Sequence, residues 1–213
     1  MSARTRRLRI LRRAFFARPT EVVAKELLGK VVVRTFEGAP SRRARIVEVE
    51  AYLGPRDLAS HARRGPTPRA AIMFGPPGHL YVYLIYGMYH CMNFVTEPDG
   101  EAGAVLIRAA EPLSGSARTD PRALSGPGKL CRALGITRAE KGLDLTSPSS
   151  GLFLAEDGSP APPLARSPRI GVDYAGAWKD RPLRFFVPGH PSVSGNRALR
   201  IVTPARAVKQ VST

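Results

Sequence analysis

The sequence contains little cysteine and little acidic residue. Only Cys91 and Cys131 are present among 213 residues, and neither belongs to a CxxC pair. Two cysteines and four histidines in unrelated contexts form no zinc-binding pattern, so we predict neither a structural metal nor an organic cofactor. Two reduced thiols indicate a cytoplasmic protein.

Long apolar runs are also missing. The longest of note, residues 81–86, is far shorter than the roughly 20 residues that a membrane-spanning helix needs. No apolar stretch of a secretory signal follows the arginine-rich start. We predict a basic, flexible arm over residues 1–17 and one domain over residues 18–213. A transit peptide is the alternative interpretation of the arm if the source is a eukaryote.

Positive charge is what the sequence has in excess. Lysine and arginine number 33 against 17 aspartate and glutamate, which gives a formal net charge of +16. Most of the basic residues are arginine, whose guanidinium binds phosphate oxygens through two hydrogen bonds. This excess indicates a polyanionic partner, either nucleic acid or an anionic membrane face, unless it only reflects an arginine-rich proteome.

Short strands joined by turns dominate the pattern, without alternation of strands and long helices. Residues 148–168 are rich in serine, proline and glycine and are predicted to form a surface excursion. We predict a single α+β domain with a curved antiparallel sheet, a protruding hairpin and helices on its outer side. Helices are predicted at 20–28, with Thr20 as N-cap, near 57–61 and at 129–134; strands are predicted at 30–36, 45–52, 80–86, 88–95, 104–109, 169–172 and 183–187.

The predicted strand at 45–52 carries two glutamates in an apolar setting. Its strict alternation places Ile46, Glu48, Glu50 and Tyr52 on one face and the intervening apolar residues on the other. A buried carboxylate is unfavourable unless it has a partner or a function. Both roles stay open from the strand alone.

Glu50 is the catalytic candidate in this strand. A salt bridge to Arg45 or Arg108 is the alternative role for one of the two glutamates. Tyr52 on the same face and His61 in the following loop bring an aromatic ring and an imidazole near Glu50. This combination predicts a pocket for a planar, polar ring.

The segment LYVYLIYGMYHCMN, residues 80–93, holds four of the six tyrosines. Cross-strand aromatic pairing in a hairpin, worth about 0.2–1 kcal/mol per pair, is one explanation. Tyr86 immediately precedes Gly87 at the predicted turn, where a core residue would be exposed. In so basic a protein, an aromatic side chain at a hairpin tip is suited to enter the minor groove and fill the gap left by an extruded nucleotide.

Several sequence blocks, in one order between residues 18 and 191, carry a resemblance to a known family. They are RIVEVEAYLGPRDLASHARRG (45–65), MFGPPGHLYVYLIYGMYHCMN (73–93), VLIRAAEP (105–112), GPGKLCRALGI (126–136), RIGVDYAGAW (169–178) and RPLRFFVPG (181–189). In these blocks the chain closely resembles the alkyladenine (3-methyladenine) DNA glycosylase family.

The resemblance implies a role for each matched residue. Glu50 corresponds to the general base that activates the attacking water. Tyr52 and Tyr83 correspond to the aromatics that enclose the flipped base, and Asn93 to a residue that obstructs the amino group of normal guanine. The remaining matches are His61 and Arg108, at or near the base-binding pocket, and Tyr86 with Met88, at the wedge that enters the duplex.

The resemblance also implies the reaction. A monomer would flip alkylated or deaminated purines (3-methyladenine, 7-methylguanine, hypoxanthine, ethenoadenine) out of duplex DNA and hydrolyse the N-glycosidic bond, leaving an abasic site. Because no lysine occupies the general-base position, neither a Schiff base nor strand cleavage is expected. Lys129, at the start of a predicted helix, is assigned to phosphate contact.

The chain departs from the family pattern in two places. Ser60 precedes His61 where a second small apolar residue is expected, and residues 138–168 follow the family only loosely. Two other functions stay open. A non-catalytic nucleic-acid-binding module predicts that Glu50→Gln leaves every activity intact. A nucleosidase acting on free nucleosides needs neither the charge of +16 nor a wedge at Tyr86.

Overall fold

One antiparallel sheet of nine strands organises residues 7–195, the part of the chain that the computed structural model describes, apart from the side chains of residues 116 and 117. The strands are Arg9–Ile10 (β1), Val31–Phe36 (β2), Ala39–Tyr52 (β3), Leu80–Ile85 (β4), Tyr89–Thr96 (β5), Gly103–Pro112 (β6), Leu152–Glu156 (β7), Ala165–Ser167 (β8) and Arg184–Phe186 (β9). The α-helices are Arg13–Phe16 (α1), Thr20–Leu27 (α2) and Pro127–Leu134 (α3). Short 3-10 turns account for the other helical segments of this region.

The sheet runs in the order β1-β7-β2-β3-β6-β5-β4, and β8 joins it through β9. β3 is 14 residues long and is the strand on which the others are arranged. Residues 44–52 of β3 pair with β6 along one edge. The other edge is shared, because β2 pairs with residues 39–45 and β9 with residues 48–50. Both glutamates of β3 therefore lie inside the sheet.

Alternate residues of the central strands face two different environments. On one face lies the main core, where the buried faces of α2 and α3 pack against β3, β4, β5 and β6. In β4, for example, Leu80 and Val82 belong to this core, whereas Tyr81 and Tyr83 belong to a smaller cluster with Met73. Because strand side chains alternate between faces, every second residue of the four strands is left for the opposite face.

The prediction that Ile46 shares a face with the two glutamates is wrong. Ile46 belongs to the main core together with Val49, although the two are three residues apart. The pairing of β3 with β6 is irregular between Ile46 and Val49. Such an irregularity shifts the alternation by one residue, so Ile46 points to the core while Glu48 and Glu50 do not.

The N-cap of helix α2 lies one residue earlier in the sequence than predicted. Pro19, not Thr20, is the N-cap, and it makes no side-chain cap. Instead the carboxylate of Glu97 accepts hydrogen bonds from the backbone nitrogen and the hydroxyl of Thr20, both at 2.6 Å. A distant acidic side chain thus satisfies the helix N-terminus, which sequence neighbours could not show.

Two predictions in the second half of the chain are wrong. Residues 148–168 are not only a surface excursion, because β7 lies within them and pairs with both β1 and β2. The serine- and proline-rich surroundings masked the apolar sequence LFLAE of β7. Residues 169–172 do not form a strand; the strand is β8, at residues 165–167. The polar groups of Arg169 and Ile170 instead serve the site described below.

Part of the region assigned to a basic arm is structured. Arg9 lies in β1 and pairs with Glu156, and Arg13 in α1 contacts Asp144 at 2.7 Å. Residues 1–6 of the predicted arm, and residues 196–213 of the predicted domain, lie outside the described residues.

The α+β class and the antiparallel sheet with its β4–β5 hairpin are confirmed. The predicted strands at 30–36, 80–86, 88–95, 104–109 and 183–187 are present with shifted ends, and the predicted strand at 45–52 is the second half of β3. Around residues 57–61 the structure has two 3-10 turns, Gly54–Arg56 and His61–Arg64. No helix in the described part of the chain is long and apolar enough to cross a membrane.

Candidate active site

A cleft of about 940 Å³ opens on the sheet face opposite the main core. The strand register brings its floor together, because Tyr81, Asn93, Leu106 and Glu50 are successive cross-strand partners on β4, β5, β6 and β3. All of these residues except Glu50 line the cleft. A volume of this size accommodates a nucleotide.

Glu50 lies directly behind the cleft wall with no exposed surface. Its Oε2 accepts a hydrogen bond from the Tyr52 hydroxyl at 3.0 Å, and its Oε1 accepts one from the backbone nitrogen of Ile170 at 2.8 Å. Arg108 Nη1 lies 3.3 Å from Oε1. Tyr52, Ile170 and Arg108 all line the cleft, so the Glu50 carboxylate is separated from the cleft only by the residues that it contacts.

Glu48 is equally buried but has more donors around it. Its Oε1 accepts from Arg184 Nε at 2.7 Å and from Arg108 Nε at 3.1 Å. Its Oε2 accepts from the backbone nitrogen of Ser194 at 2.6 Å, and the Ser194 hydroxyl donates to Oε1 at 3.0 Å. The partners of Glu48 thus hold the fold together, whereas Glu50 is the carboxylate that lies next to the cleft.

Arg108 joins the two carboxylates. Burial would lower the pKa of this guanidinium, but Glu50 and Glu48 more than offset that effect and raise its pKa above the ordinary value. Arg184 supplies a second positive charge beside Glu48. Two carboxylates and two guanidiniums therefore neutralise one another in a region where an unpaired charge would cost several kcal/mol. Of the two arginines predicted as alternatives, Arg108 is therefore the partner of these glutamates, whereas Arg45 contacts Glu111 and Asp157.

Tyr52 forms one wall of the cleft and is held from behind. The guanidinium of Arg169 lies over its ring, 4.7 Å from the centroid. Arg169 is fixed in turn by Asp57, with N–O distances of 2.5 and 2.8 Å, and both side chains are fully buried. Burial and then the charge of Glu50 raise the pKa of Tyr52 well above its ordinary value, so the phenol keeps its proton and donates a hydrogen bond to Glu50.

The loop that follows β3 brings His61 to the cleft. The Ser60 hydroxyl caps the 3-10 turn at His61–Arg64 by accepting from Ala62 N at 3.2 Å. The departure from the family pattern at Ser60 therefore has a local function. Asp57 also holds this loop, because its carboxylate accepts from the backbone nitrogens of Leu53 and Ala59, both at 3.0 Å.

His61 is neutral at physiological pH. Its Nδ1 lies 2.9 Å from the Tyr81 hydroxyl, and its ring meets that of Tyr83 edge to face at 4.7 Å. Burial, reinforced by the cations Arg69 and Arg63, lowers the pKa of His61 to about 4. The imidazole is therefore uncharged at neutral pH. Burial also raises the pKa of Tyr83 well above its ordinary value.

Asn93 lies on the cleft floor with 3% of its surface exposed. Its amide nitrogen donates to the backbone oxygens of Tyr81 at 3.2 Å and of Cys91 at 3.3 Å. The orientation of the amide is thus fixed by two backbone acceptors rather than by solvent.

The tip of the β4–β5 hairpin carries Tyr86 at the edge of the cleft, where 80% of its surface is exposed. Tyr86 and Gly87 have positive φ angles of 53° and 67°, and Met88 N bonds to Ile85 O at 3.2 Å. Positive φ angles at both central positions are characteristic of a type I′ turn, which favours asparagine or glycine there. A tyrosine in this conformation is strained, and such strain is commonly retained for function.

The other side of the hairpin packs on the start of α3. Residues 126–129 line the cleft, and a Cβ placed on Gly128 would lie 2.9 Å from Cδ1 of Tyr89. Lys129 therefore reaches the cleft, as its assignment to phosphate contact requires. Met88, 65% exposed, lines a smaller cavity of about 250 Å³ between the hairpin and α3 rather than the main cleft.

The structure thus brings most of the sequence-predicted residues to one cleft: Tyr52, His61, Tyr83, Tyr86, Asn93 and Arg108, with Glu50 behind them. The sequence reasoning missed the backbone nitrogen of Ile170, the Arg169–Asp57 pair, and Arg184. No sequence signal identifies a backbone donor. Arg184 could have been noticed as a charged residue between Leu183 and Phe185 in an apolar strand. Among the described residues, no group of three or more histidine, cysteine, aspartate or glutamate side chains could hold a metal ion.

Comparison with known proteins places this cleft in context. Residues 14–191 match the model of the methylpurine-DNA glycosylase family. A provisionally named 3-methyladenine DNA glycosylase of Anaeromyxobacter dehalogenans strain 2CP-1 is 55% identical over 185 residues, covering 86% of this chain and 85% of its own. Proteins with the same provisional name are similar in Methanocella arvoryzae (50% identity, 87% and 96% coverage) and Legionella pneumophila strain Paris (48%, 88% and 99%).

Proposed function

The chain belongs to the methylpurine-DNA glycosylase family, and on that premise we propose that it removes alkylated or deaminated purines from duplex DNA by hydrolysis assisted by Glu50. The observation that carries this proposal is the position of Glu50, a fully buried carboxylate whose hydrogen-bond donors Tyr52 and Ile170 line an aromatic cleft. A charge buried at such a place is typical of a catalytic group.

The damaged nucleotide leaves the duplex and enters the cleft. Tyr52 and Tyr83 enclose the flipped base, and Tyr86 fills the space that it vacated. A 3-methyl or 7-methyl purine carries a positive charge and gains a cation–π contribution from these rings. Neutral hypoxanthine and ethenoadenine depend instead on hydrogen bonds from the His61 loop, where His61 itself stays neutral because its pKa is about 4.

The reaction is a hydrolysis. A water oxygen forms a bond to C1′ of the deoxyribose while the bond from C1′ to the purine nitrogen breaks and the base leaves with the electron pair. Glu50 takes the proton of the water and its charge opposes the positive charge that develops on the sugar. A cationic methylated purine departs as a neutral molecule without further protonation, whereas a neutral purine departs as an anion and takes up one proton from the solvent. An abasic site remains, and no lysine replaces Glu50 to form a Schiff base or cleave the strand.

Glu50 must gain access to water for this step. It has no exposed surface, and the Tyr52 hydroxyl occupies one side of Oε2. We propose that the entering nucleotide displaces this hydroxyl when its base stacks on Tyr52. A water can then take the freed position on Oε2, while Ile170 N and Arg108 continue to hold Oε1.

The selectivity of the cleft against normal guanine is assigned to Asn93. Its amide is fixed by two backbone oxygens, so it cannot rotate freely to accommodate an additional amino group. The proposed partner is duplex DNA that contains a damaged purine, and the proposed active form is a monomer in the cytoplasm, at the nucleoid in a bacterial source. A net charge of +16 favours that partner.

Single-turnover excision from labelled duplexes tests the proposal. The duplexes contain hypoxanthine, ethenoadenine or methylated purines, and the enzymes are wild type, Glu50→Gln and Tyr52→Phe. Wild type should give strand cleavage only after alkali. Glu50→Gln should lower the excision rate by about 100-fold or more, the range for loss of a general base. Tyr52→Phe keeps the ring and frees Oε2, so it should retain excision.

Each other outcome identifies a different error. Full activity of a folded Glu50→Gln variant would remove Glu50 as the base. Cleavage without alkali would contradict hydrolysis without lyase chemistry. Loss of activity in Tyr52→Phe would show that the hydroxyl is required rather than displaced. No excision of any lesion, with duplex binding intact, would favour the non-catalytic binding module.

A further inference from the structure

Large apolar side chains that remain exposed are concentrated around the cleft. Those in the described residues are Val22, Leu58, Tyr86, Met88, Tyr89, Ile170 and Tyr174. Three of them belong to the β4–β5 hairpin. Ile170 and Tyr174 also line the cleft, whereas Val22 lies on α2. Exposed apolar side chains gathered at one place indicate a binding surface.

Ile170 and Tyr174 line a second edge of the cleft, and together with the neighbouring Leu58 we call this edge the Tyr174 rim. The rim lies away from the hairpin, because Ile170 N bonds to Glu50 on β3 and the hairpin strands are at the other end of the order β3-β6-β5-β4. Leu58 lies next to the Tyr174 turn, with its Cδ1 3.8 Å from the position of a Cβ on Gly176.

Tyr174 is held in its exposed position. The residue is 63% exposed, and its hydroxyl donates to the backbone oxygen of Ala59 at 3.4 Å. Ala59 lies in the loop that carries His61, two residues before it. Leu58, 45% exposed, has its backbone oxygen bound by Arg63 Nη1 at 3.2 Å. The rim therefore combines fixed apolar surface with an exposed cation.

This combination matches one chemical partner. A deoxyribose presents an apolar surface, and the adjoining phosphate is negative. Because the cleft lies between the hairpin and the Tyr174 rim, a strand that delivers a nucleotide into the cleft must cross both edges. In the proposed complex the hairpin tip fills the gap in the base stack. The sugar–phosphate backbone beside the extruded nucleotide is then free to contact the Tyr174 rim.

We infer that the Tyr174 rim binds the sugar–phosphate backbone of the damaged strand beside the extruded nucleotide. The inference rests on the proposed function, since it requires that a nucleotide enters the cleft. Tyr174 and Leu58 pack on the deoxyribose, and Arg63 pairs with the phosphate. A strand held at both edges keeps the nucleotide extruded longer than one held at the hairpin alone.

Binding measurements with two matched duplexes test the inference. One duplex contains ethenoadenine and the other has adenine at the same position, and both are titrated by fluorescence anisotropy against wild type, Tyr174→Ala, Tyr174→Phe and Val22→Ala. Tyr174→Ala should weaken binding to the ethenoadenine duplex by about fivefold, as loss of one aromatic contact with nucleic acid does. Tyr174→Phe should stay within about twofold of wild type, because the ring makes the contact.

Val22→Ala is the control, since it truncates an exposed apolar residue away from the cleft. It should leave both affinities unchanged. Leu58→Ser should reproduce the loss seen with Tyr174→Ala, and thermal unfolding of each variant verifies that the fold is intact.

Unchanged affinity of both Tyr174→Ala and Leu58→Ser would overturn the inference. Equal losses in Tyr174→Phe and Tyr174→Ala would also overturn it, because the hydroxyl would then be the binding group. If sedimentation showed a dimer of wild type that Tyr174→Ala dissolves, with DNA affinity unchanged, the rim would bind a second copy of the chain. Failure of excision by wild type would refute the proposed function instead, and it is measured separately.

Discussion

Glu48 and Glu50 differ in their partners although one residue separates them on β3. Arg184, Arg108 and Ser194 occupy Glu48, whereas Glu50 receives one arginine contact, one backbone donor and the hydroxyl of Tyr52. Four hydrogen bonds hold Glu48, and none of its donors is a cleft-wall hydroxyl that an entering base could displace, as the Tyr52 hydroxyl on Glu50 is. The different environments therefore favour Glu50 as the proposed base and leave Glu48 to orient Arg108.

Tyr86 is the residue at which function and stability oppose each other. Tyr86→Asn should raise the free energy of unfolding by roughly 1 kcal/mol, because asparagine accepts a left-handed conformation that costs other L-residues about 1–2 kcal/mol. The same substitution should lower excision from duplex DNA, because the wedge is lost. Thermal unfolding and single-turnover kinetics measure the two effects.

Single-stranded substrate is the control for Tyr86→Asn, since no duplex stack has to be filled. The variant and wild type should differ less on it than on the duplex. A variant that excises from duplex DNA at the rate of wild type would refute the wedge assignment.

At the scale of elements, the hairpin is positioned by its contact with α3. Gly128 permits Tyr89 to lie against the helix, where a Cβ would be 2.9 Å from Cδ1 and 3.2 Å from Cβ and Cγ of the tyrosine. Gly128 lies in α3, without the positive φ angle that marks many other glycines of the chain. An alanine there fits the backbone, so its effect is confined to this contact.

Gly128→Ala should therefore displace the hairpin without unfolding the protein. Alanine favours the helix by about 0.8–1.0 kcal/mol relative to glycine, so the melting temperature should not fall greatly. The excision rate from duplex should fall roughly 10- to 100-fold, the scale of a misplacement near 1 Å. Single-turnover rates on the ethenoadenine duplex measure this loss.

A double-mutant cycle separates this contact from other effects of Gly128→Ala. Tyr89→Ala removes the ring atoms that the new methyl group would meet. Adding Gly128→Ala to Tyr89→Ala should therefore cost much less than adding it to wild type. Additive losses would show that the steric contact does not set the hairpin position.

At the scale of the whole molecule, charge determines how the protein meets DNA. The net charge is +16, and part of the excess of basic residues lies at the cleft. Lys129, Arg132 and Arg69 line the cleft, and Arg63 lies at the Tyr174 rim. Contacts of these cations with phosphate release counterions, which makes binding depend steeply on salt.

Affinity for undamaged duplex should fall roughly 100-fold between about 50 and 200 mM salt if about four phosphates are contacted. Lys129→Ala should reduce the slope of log affinity against log salt by about one. Lys25→Ala, on α2 and paired with Glu21 at 2.7 Å, is the control and should leave the slope unchanged. An unchanged slope in Lys129→Ala would place Lys129 away from the phosphates.

The class of fold and the identity of most candidate residues follow from local features of the sequence. Alternation in short apolar strands, the turn at Tyr86–Gly87 and the excess of arginine are local properties, so they can be read without a structure. The family resemblance supplied proposed roles for Glu50, Tyr52 and His61. Where composition misled, as at β7, a short apolar strand was hidden by serine- and proline-rich neighbours.

How those residues work together depends on contacts that form only in the folded chain. The irregular pairing of β3 and β6 turns Ile46 away from the glutamates, which no alternation pattern in β3 alone can reveal. The donors that distinguish Glu50 from Glu48 come from positions as distant as Ile170, Arg184 and Ser194. Cross-strand register and long-range side-chain contacts depend on the folded chain as a whole, and a linear sequence does not specify them locally.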